Sequence, residues 1–200
     1  MPGQANYIDP DKMRQVLEAI PRLKIRKWKD EDVVMLMQMC YWCDLRIMEA
    51  IPRLVEDFDL NRGVIYLGKT KNEKAAEAVI YPTFLPELRL WLKDKKGPLF
   101  PGLNYPTVYN WLKRLGKILD IKAWTESQTI TGEKTVTHIF RKSMSKDLYY
   151  GTYGEKTPLT VISKHLRHKG RNPMDMTYHY LKLDTEDVKE VFDKQIKNQE

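Results

Sequence analysis

The stretch that decides the fold is VEDFDLNRGVIYLGKTKNEKAAEAVIYP, residues 55–82. Two runs in it, 64–67 and 77–81, are short, apolar and rich in β-formers, and a polar, lysine-rich segment separates them. Two such runs joined by a polar loop read as a β-hairpin. Pro82 ends the second run, since proline has no N–H to give a ladder. The rest of the chain follows a helical period, so the sheet is expected to be small.

Upstream, DPDKMRQVLEAI is a helix: Asp9 can cap it, Pro10 fits its first turn, and Met13, Val16, Leu17 and Ile20 form one stripe. Residues 30–42 make a second helix, apolar on most sides and therefore central. The helical pattern runs on through DLRIMEAI to Pro52. Downstream, FLPELRLWLKDKKG is helical and is closed by Gly97. TVYNWLKRLGKIL places Val108, Trp111, Leu112 and Leu115 on one face. After a polar loop come the helices HIFRKSMSKDLYY and PLTVISKHLRH, the second opened by Pro158. A short helix around MTYHYLK follows, then a terminal helix from about Asp184 with Val188, Val191, Phe192 and Ile196 as its stripe. The expected class is α+β, mainly α-helical with one small antiparallel sheet. One domain spans residues 1–200, with its core at 9–183.

The net charge of +7 favours an anionic partner. The charge is uneven. Residues 138–182 carry nine Lys/Arg against three Asp/Glu, a net +6, and hold all four histidines: His138, His165, His168 and His179. A solvated basic face would account for the charge but not for the histidines. The longest apolar stretch, VVMLMQMCYWC, is too short to cross a membrane, so an intracellular protein, cytoplasmic or nucleoid-associated, is expected. Cys40 and Cys43 lie inside an apolar helical run without a second pair, which favours buried structural thiols over a redox or zinc motif.

Several groups carry chemistry. Arg46 follows a mainly buried helix, with Glu49 one turn on; a structural ion pair is the plain reading. Lys69 and Lys71 sit in the hairpin's polar segment. An ammonium there is ordinarily solvated, yet it can donate a proton if cations depress its pKa. His138 and Arg141 share a face at a helix start. A guanidinium there can grip a phosphate, and an imidazole can move a proton near neutral pH. His165 and His168, with His179, have a spacing that zinc could use, but no acidic base or cysteine accompanies them. Tyr178 and Tyr180 flank His179, and by themselves both read as packing aromatics.

In order and spacing these features resemble the catalytic domain of the tyrosine recombinases, the phage-type integrases. The resemblance runs from about Asp9 to the end. YWCDLRIMEA resembles the motif Y-x-G-L-R-x-S-E and assigns Arg46, with Glu49 as supporting acid. GVIYLGKTKNEK resembles the strand-turn lysine segment and assigns Lys69, 23 residues after Arg46, with Lys71 as the fallback. THIFRKSM resembles H-x-L-R-H-x-x-A and assigns His138 and Arg141; KHLRHKG resembles L-L-G-H and assigns His168. TYHYLKL resembles T-x-x-Y-x-H-L, with Thr177 leading and Tyr180 as nucleophile. Asp44 and Arg167 stand where the motifs have glycine, Lys142 and Lys182 where they have histidine, and the 12-residue gap from His168 to Tyr180 is long.

The resemblance implies a site-specific recombinase that cleaves and rejoins double-stranded DNA through a 3′-phosphotyrosine, without ATP, cofactor or metal. It implies a tetramer in the active synapse. Lys71, Lys142, Lys146, Lys164, Lys169 and Arg171 are the candidate phosphate contacts, and Arg46, Lys69, His138, Arg141, His168 and Tyr180 the catalytic set. The helix at 184–197 can pack on a neighbouring protomer or on its own domain. The N-terminal DNA-clamping domain typical of the family is absent from these 200 residues, and a fragment of a longer protein is one expectation. Two alternatives stay open: a type IB topoisomerase-like enzyme and a catalytically inactive DNA-binding regulator with the same fold.

Overall fold

The structure, a computed structural model, describes residues 7–69, 75–125 and 135–167, with positions 173, 174, 177 and 181. Within these residues the chain forms α1 (Pro10–Ala19), α2 (Asp30–Trp42), α3 (Ile47–Ala50), α4 (Leu85–Leu92), α5 (Tyr105–Leu119), α6 (Lys122–Thr125), α7 (Ile139–Tyr150) and α8 (Leu159–His165). Three strands, β1 (Phe58–Asp59), β2 (Val64–Lys69) and β3 (Ala75–Val79), make the sheet. The short helix around Tyr178 and Tyr180 and the terminal helix from Asp184 lie outside the described residues.

Asp9 caps α1 as expected, its carboxylate accepting from the Lys12 N–H at 2.6 Å. Helices α2 and α7 pack on each other at the centre, and both are buried on most of their circumference. Around them, α4 is tied to α2 by Trp91 Nε1 and Lys95 Nζ, which both donate to Asp32, at 3.2 and 2.8 Å. Helix α5 turns the predicted face inward, with Val108, Trp111, Leu112 and Leu115 buried. Cys40 and Cys43 are free, fully buried thiols within this core.

The hairpin is present. Strand β2 pairs antiparallel with β3 (Val64 with Val79, Ile65 with Ala78, Tyr66 with Glu77), and a bulge interrupts the register between Tyr66 and Lys69. Gly68 takes φ +72 in that bulge, a conformation that suits glycine, and the bulge sets where Lys69 leaves the strand. The second strand is shifted from the expected 77–81 to Ala75–Val79. Strand β1 adds a short third member, order β1-β2-β3, that two residues could not announce in the sequence. Arg53 ties the sheet to α3. Its Nε donates to the Glu49 carbonyl at 2.9 Å, and its Nη1 to the Tyr66 carbonyl.

One sequence expectation fails here. The helix does not continue from α2 to Pro52. It stops at Trp42, Asp44 adopts φ +56, and a new helix starts at Ile47 with Arg46 as its cap residue. The physical cause is a local capping arrangement: the Glu49 carboxylate accepts from the Arg46 backbone N–H at 2.8 Å, satisfying the start of α3. This break turns Arg46 out of the core. Among the described residues no helix is long and apolar enough to cross a membrane.

Candidate active site

The break at 43–46, the start of α7 and the end of α8 meet in one place. Glu49 is the hub. Its Oε1 pairs with Arg46 Nη1 at 2.7 Å, its Oε2 with Arg167 Nη2 at 2.8 Å, and Arg141 Nη1 lies 3.9 Å from Oε2. Burial alone would push this carboxyl up, but Arg167, the Arg46 N–H and side chain, and Arg141 outweigh burial and hold it below the ordinary glutamate range. The plain Arg46–Glu49 ion pair therefore exists, as one arm of a larger network.

Arg141 is fully buried. Its Nη2 donates to the Leu166 carbonyl at 2.7 Å, and its Nη1 to the Asp44 carbonyl. That same carbonyl accepts from Arg167 Nη2 at 2.7 Å. The two residues flagged as glycine replacements, Asp44 and Arg167, have φ +56 and +53. Both turns keep the left-handed backbone that favours glycine, with a charged side chain added to each. Among the described residues, neither oxygen of the buried Asp44 carboxylate has a hydrogen-bond partner. His165 is close to this cluster, and burial pushes its imidazole down toward the neutral form against the pull of Asp44.

In front of Arg46 lies a cavity of about 450 Å³, lined by Arg46, Ile47, Met48, Tyr105, Thr137 and His138. The structure thus brings Arg46 and His138 to one cavity, with Glu49 and Arg141 directly behind it. His138 stands at the N-cap position of α7, the helix start at which the sequence places it. Lys69 ends β2, but its side chain lies outside the described residues, as do Lys71, His168, Lys169, Arg171 and Tyr180. Thr177, which leads the tyrosine motif, is buried and donates to the Pro173 carbonyl at 2.9 Å; Leu181 is also buried. These two residues flank the segment that holds Tyr178 and Tyr180.

The expected phosphate contacts divide. Lys164 is exposed on α8, and Lys146 is half-buried with its Nζ 5.8 Å from the Tyr7 ring centre. Lys142 is a correction. It is only 4% exposed, because α7 is buried on nearly every side, so in this structure it presents no charge to a partner at the surface. The sequence reading missed Arg167 as a member of the site, although its place in a glycine position was visible. It also missed Met48 and Tyr105 as cavity walls, for which no motif gives a signal.

A half-helical fold with a small three-stranded antiparallel sheet, and two distant motif arginines meeting at one carboxylate, define the class of a tyrosine recombinase catalytic domain. The chain belongs to the phage integrase family, whose model matches residues 6–186. The tyrosine recombinase XerA of Saccharolobus solfataricus is 31% identical over 122 residues, covering 59% of this chain and 38% of that protein. Among solved structures, the XerH site-specific recombinase bound to palindromic difH substrate, in a post-cleavage complex, has a TM-score of 0.65 at 18% identity. That match covers 93% of this chain and 51% of XerH. The catalytic domain of bacteriophage HP1 integrase matches with a TM-score of 0.59 at 18% identity, covering 94% and 93% of the two chains. The chain spans 38% of the S. solfataricus XerA and 51% of the XerH chain, and nearly all of the HP1 catalytic domain.

Proposed function

We propose that this chain is a site-specific DNA recombinase that breaks and rejoins strands through a phosphotyrosine at Tyr180. The observation that carries this reading is the meeting of Arg46 and Arg141 at Glu49, beside a cavity walled by His138. A phosphodiester is anionic and repels nucleophiles, so the first requirement is fixed positive charge where charge builds in the transition state. Arg46 faces the cavity for that task. Arg141 supplies charge from behind and reaches a phosphate only by exchanging its bond to Leu166 or Asp44 for one to a phosphate oxygen.

In the reaction, the Tyr180 phenol oxygen attacks phosphorus, forming the phosphotyrosyl bond as the bond to the 5′-oxygen breaks. His138 takes the phenol proton, because a phenol with pKa near 10 is a poor nucleophile at neutral pH. Lys69 gives a proton to the leaving 5′-oxygen, and His168 donates a hydrogen bond to a non-bridging oxygen. A 5′-hydroxyl from a second duplex then reverses the step. The bond energy is conserved, so the sequence of steps needs no ATP, and in this reading the arginines, histidines and lysine fill the roles for which a metal would otherwise serve. The partners in this reading are double-stranded DNA and further copies of the chain, four in the synapse.

The test is to trap the adduct on a nicked suicide substrate and map the joined residue. Tyr180 in the adduct peptide is the expected result, and Tyr180→Phe abolishes adduct while binding persists. Joining at Tyr178 would overturn the assignment. Adduct formation with supercoil relaxation but no strand exchange would point to topoisomerase-like chemistry, and binding without adduct to an inactive regulator.

A further inference from the structure

The geometry points to Arg167 as a positioning residue for the proposed strand cleavage, holding Glu49 and the 43–46 turn so that Arg46 and Arg141 keep their places. This rests on the recombinase reading. The turn after α8 carries Arg167, and its left-handed φ of +53 is one that a non-glycine residue adopts only against strain. The motif this segment resembles has glycine there. A strained, bulky residue in a glycine place is held by what its side chain does. Here one guanidinium nitrogen donates to both the Asp44 carbonyl (2.7 Å) and Glu49 Oε2 (2.8 Å), while Nη1 donates to the His165 carbonyl at 3.1 Å.

The consequence is a division of labour on Glu49. Oε1 holds the Arg46 guanidinium; Oε2 receives the Arg46 backbone N–H and Arg167. Glu49 cannot rotate toward Arg141 or away from Arg46 without losing Arg167. The Asp44 carbonyl is likewise shared between Arg141 and Arg167, so Arg167 fixes the acceptor that places Arg141. Arg167 is 9% exposed at its side chain and lines no part of the cavity, so it acts through Glu49 and Asp44 rather than on the phosphate. Among the described residues, the charged groups facing Glu49 are Arg46 at the start of its own helix, Arg141 from α7, and Arg167 from the turn after α8.

The experiment compares the full chain with Arg167→Gly, Arg167→Asn, Glu49→Gln and the double variant Arg167→Gly/Glu49→Gln on the nicked suicide substrate. Glycine and asparagine both tolerate the left-handed backbone, so the fold is expected to survive in at least one, checked by thermal unfolding. Loss of positioning in a catalytic site is worth on the order of 100-fold in rate, and we expect about that loss of adduct rate in Arg167→Gly, with binding of uncleaved DNA changed less than about threefold. In the Glu49→Gln background the same change should lose less than about threefold, because groups that act as a unit are not additive. Added methylguanidinium should restore at least about a tenth of the lost rate to Arg167→Gly, filling the vacated place. Wild-type rates in both Arg167 variants, or an equal loss with and without Glu49, would overturn the inference alone. A wild-type chain that forms no adduct would overturn the recombinase reading, and this inference with it.

Discussion

Glu49 and Asp147 are both carboxylates sunk beside the α2–α7 core, and they titrate in opposite directions. Glu49 is ringed by three guanidiniums and held low. Asp147, on α7, is fully buried, and burial pushes it up despite hydrogen bonds from Tyr41 and from Tyr7 at 2.6 Å. The phenols answer in kind. Burial beside this carboxylate pushes Tyr7 and Tyr41 far up and Tyr153, bonded to Tyr41 at 2.6 Å, up to about 12. Neutral donors can satisfy a buried carboxylate but do not stabilise its charge as guanidiniums do. The first cluster keeps charge available for chemistry. The second joins the N-terminal segment, α2, α7 and the loop after it, and its phenols are the wrong ones to ask for a nucleophile.

The largest expected effect separates the two clusters by activity. Arg46→Ala removes a half-exposed guanidinium that faces the cavity, and it should lower the rate of covalent adduct formation by about 100- to 1,000-fold, as for other lost transition-state donors. Tyr153→Phe should cleave within about threefold of wild type, because among the described residues its hydroxyl bonds within the Asp147 cluster. A Tyr153→Phe variant that loses adduct would break the comparison.

Stability should divide the other way. Asp147→Ala leaves the Tyr7 and Tyr41 hydroxyls without their acceptor in the core, and should destabilise by about 1–3 kcal/mol in urea unfolding. The pH dependence then sharpens the contrast. The folded pKa of Glu49 is depressed, so its contribution is full above the unfolded glutamate pKa of about 4.3 and is lost as pH falls through the folded value. The folded pKa of Asp147 is raised, so its contribution is full below the unfolded aspartate pKa of about 3.9 and is lost as pH rises through the folded value. Between about pH 3.5 and 7, the advantage of wild type over Glu49→Gln should grow with pH, and its advantage over Asp147→Asn should shrink. Parallel slopes would show that the two carboxylates are not opposed.

What the sequence disclosed follows from range. The hairpin, the Asp9 cap and the Arg46–Glu49 pair rest on contacts a few residues apart, and each left a local pattern. The arginine cage and the Asp147 cluster join residues such as Asp44 with Arg141, and Tyr7 with Asp147, that have no shared period. Motif order could bring Arg46, His138 and Arg141 together; only the fold shows Arg167 among them. The break at Asp44 was hidden because aspartate stands where glycine would have marked a turn, inside an otherwise unbroken apolar run. Lys142 misled for a related reason. A basic residue in a basic segment reads as surface unless the helix carrying it is known to be buried on most sides.

That last point yields the smallest and most specific prediction. Each lysine–phosphate contact releases condensed counterions, so its removal lowers the slope of log binding against log salt by about 1. Lys164, exposed on α8 near the turn that carries Arg167, should show that change in Lys164→Ala, uniformly across DNA sequences. Lys142, enclosed on α7, should leave the slope unaltered in Lys142→Met, with any effect appearing in unfolding instead. If Lys142→Met lowers the slope as Lys164→Ala does, then α7 turns its basic residues toward DNA on binding, and Arg141, one residue away and equally enclosed, is carried outward by the same movement. The salt titration of Lys142→Met thus reports indirectly on how Arg141 comes to meet a phosphate.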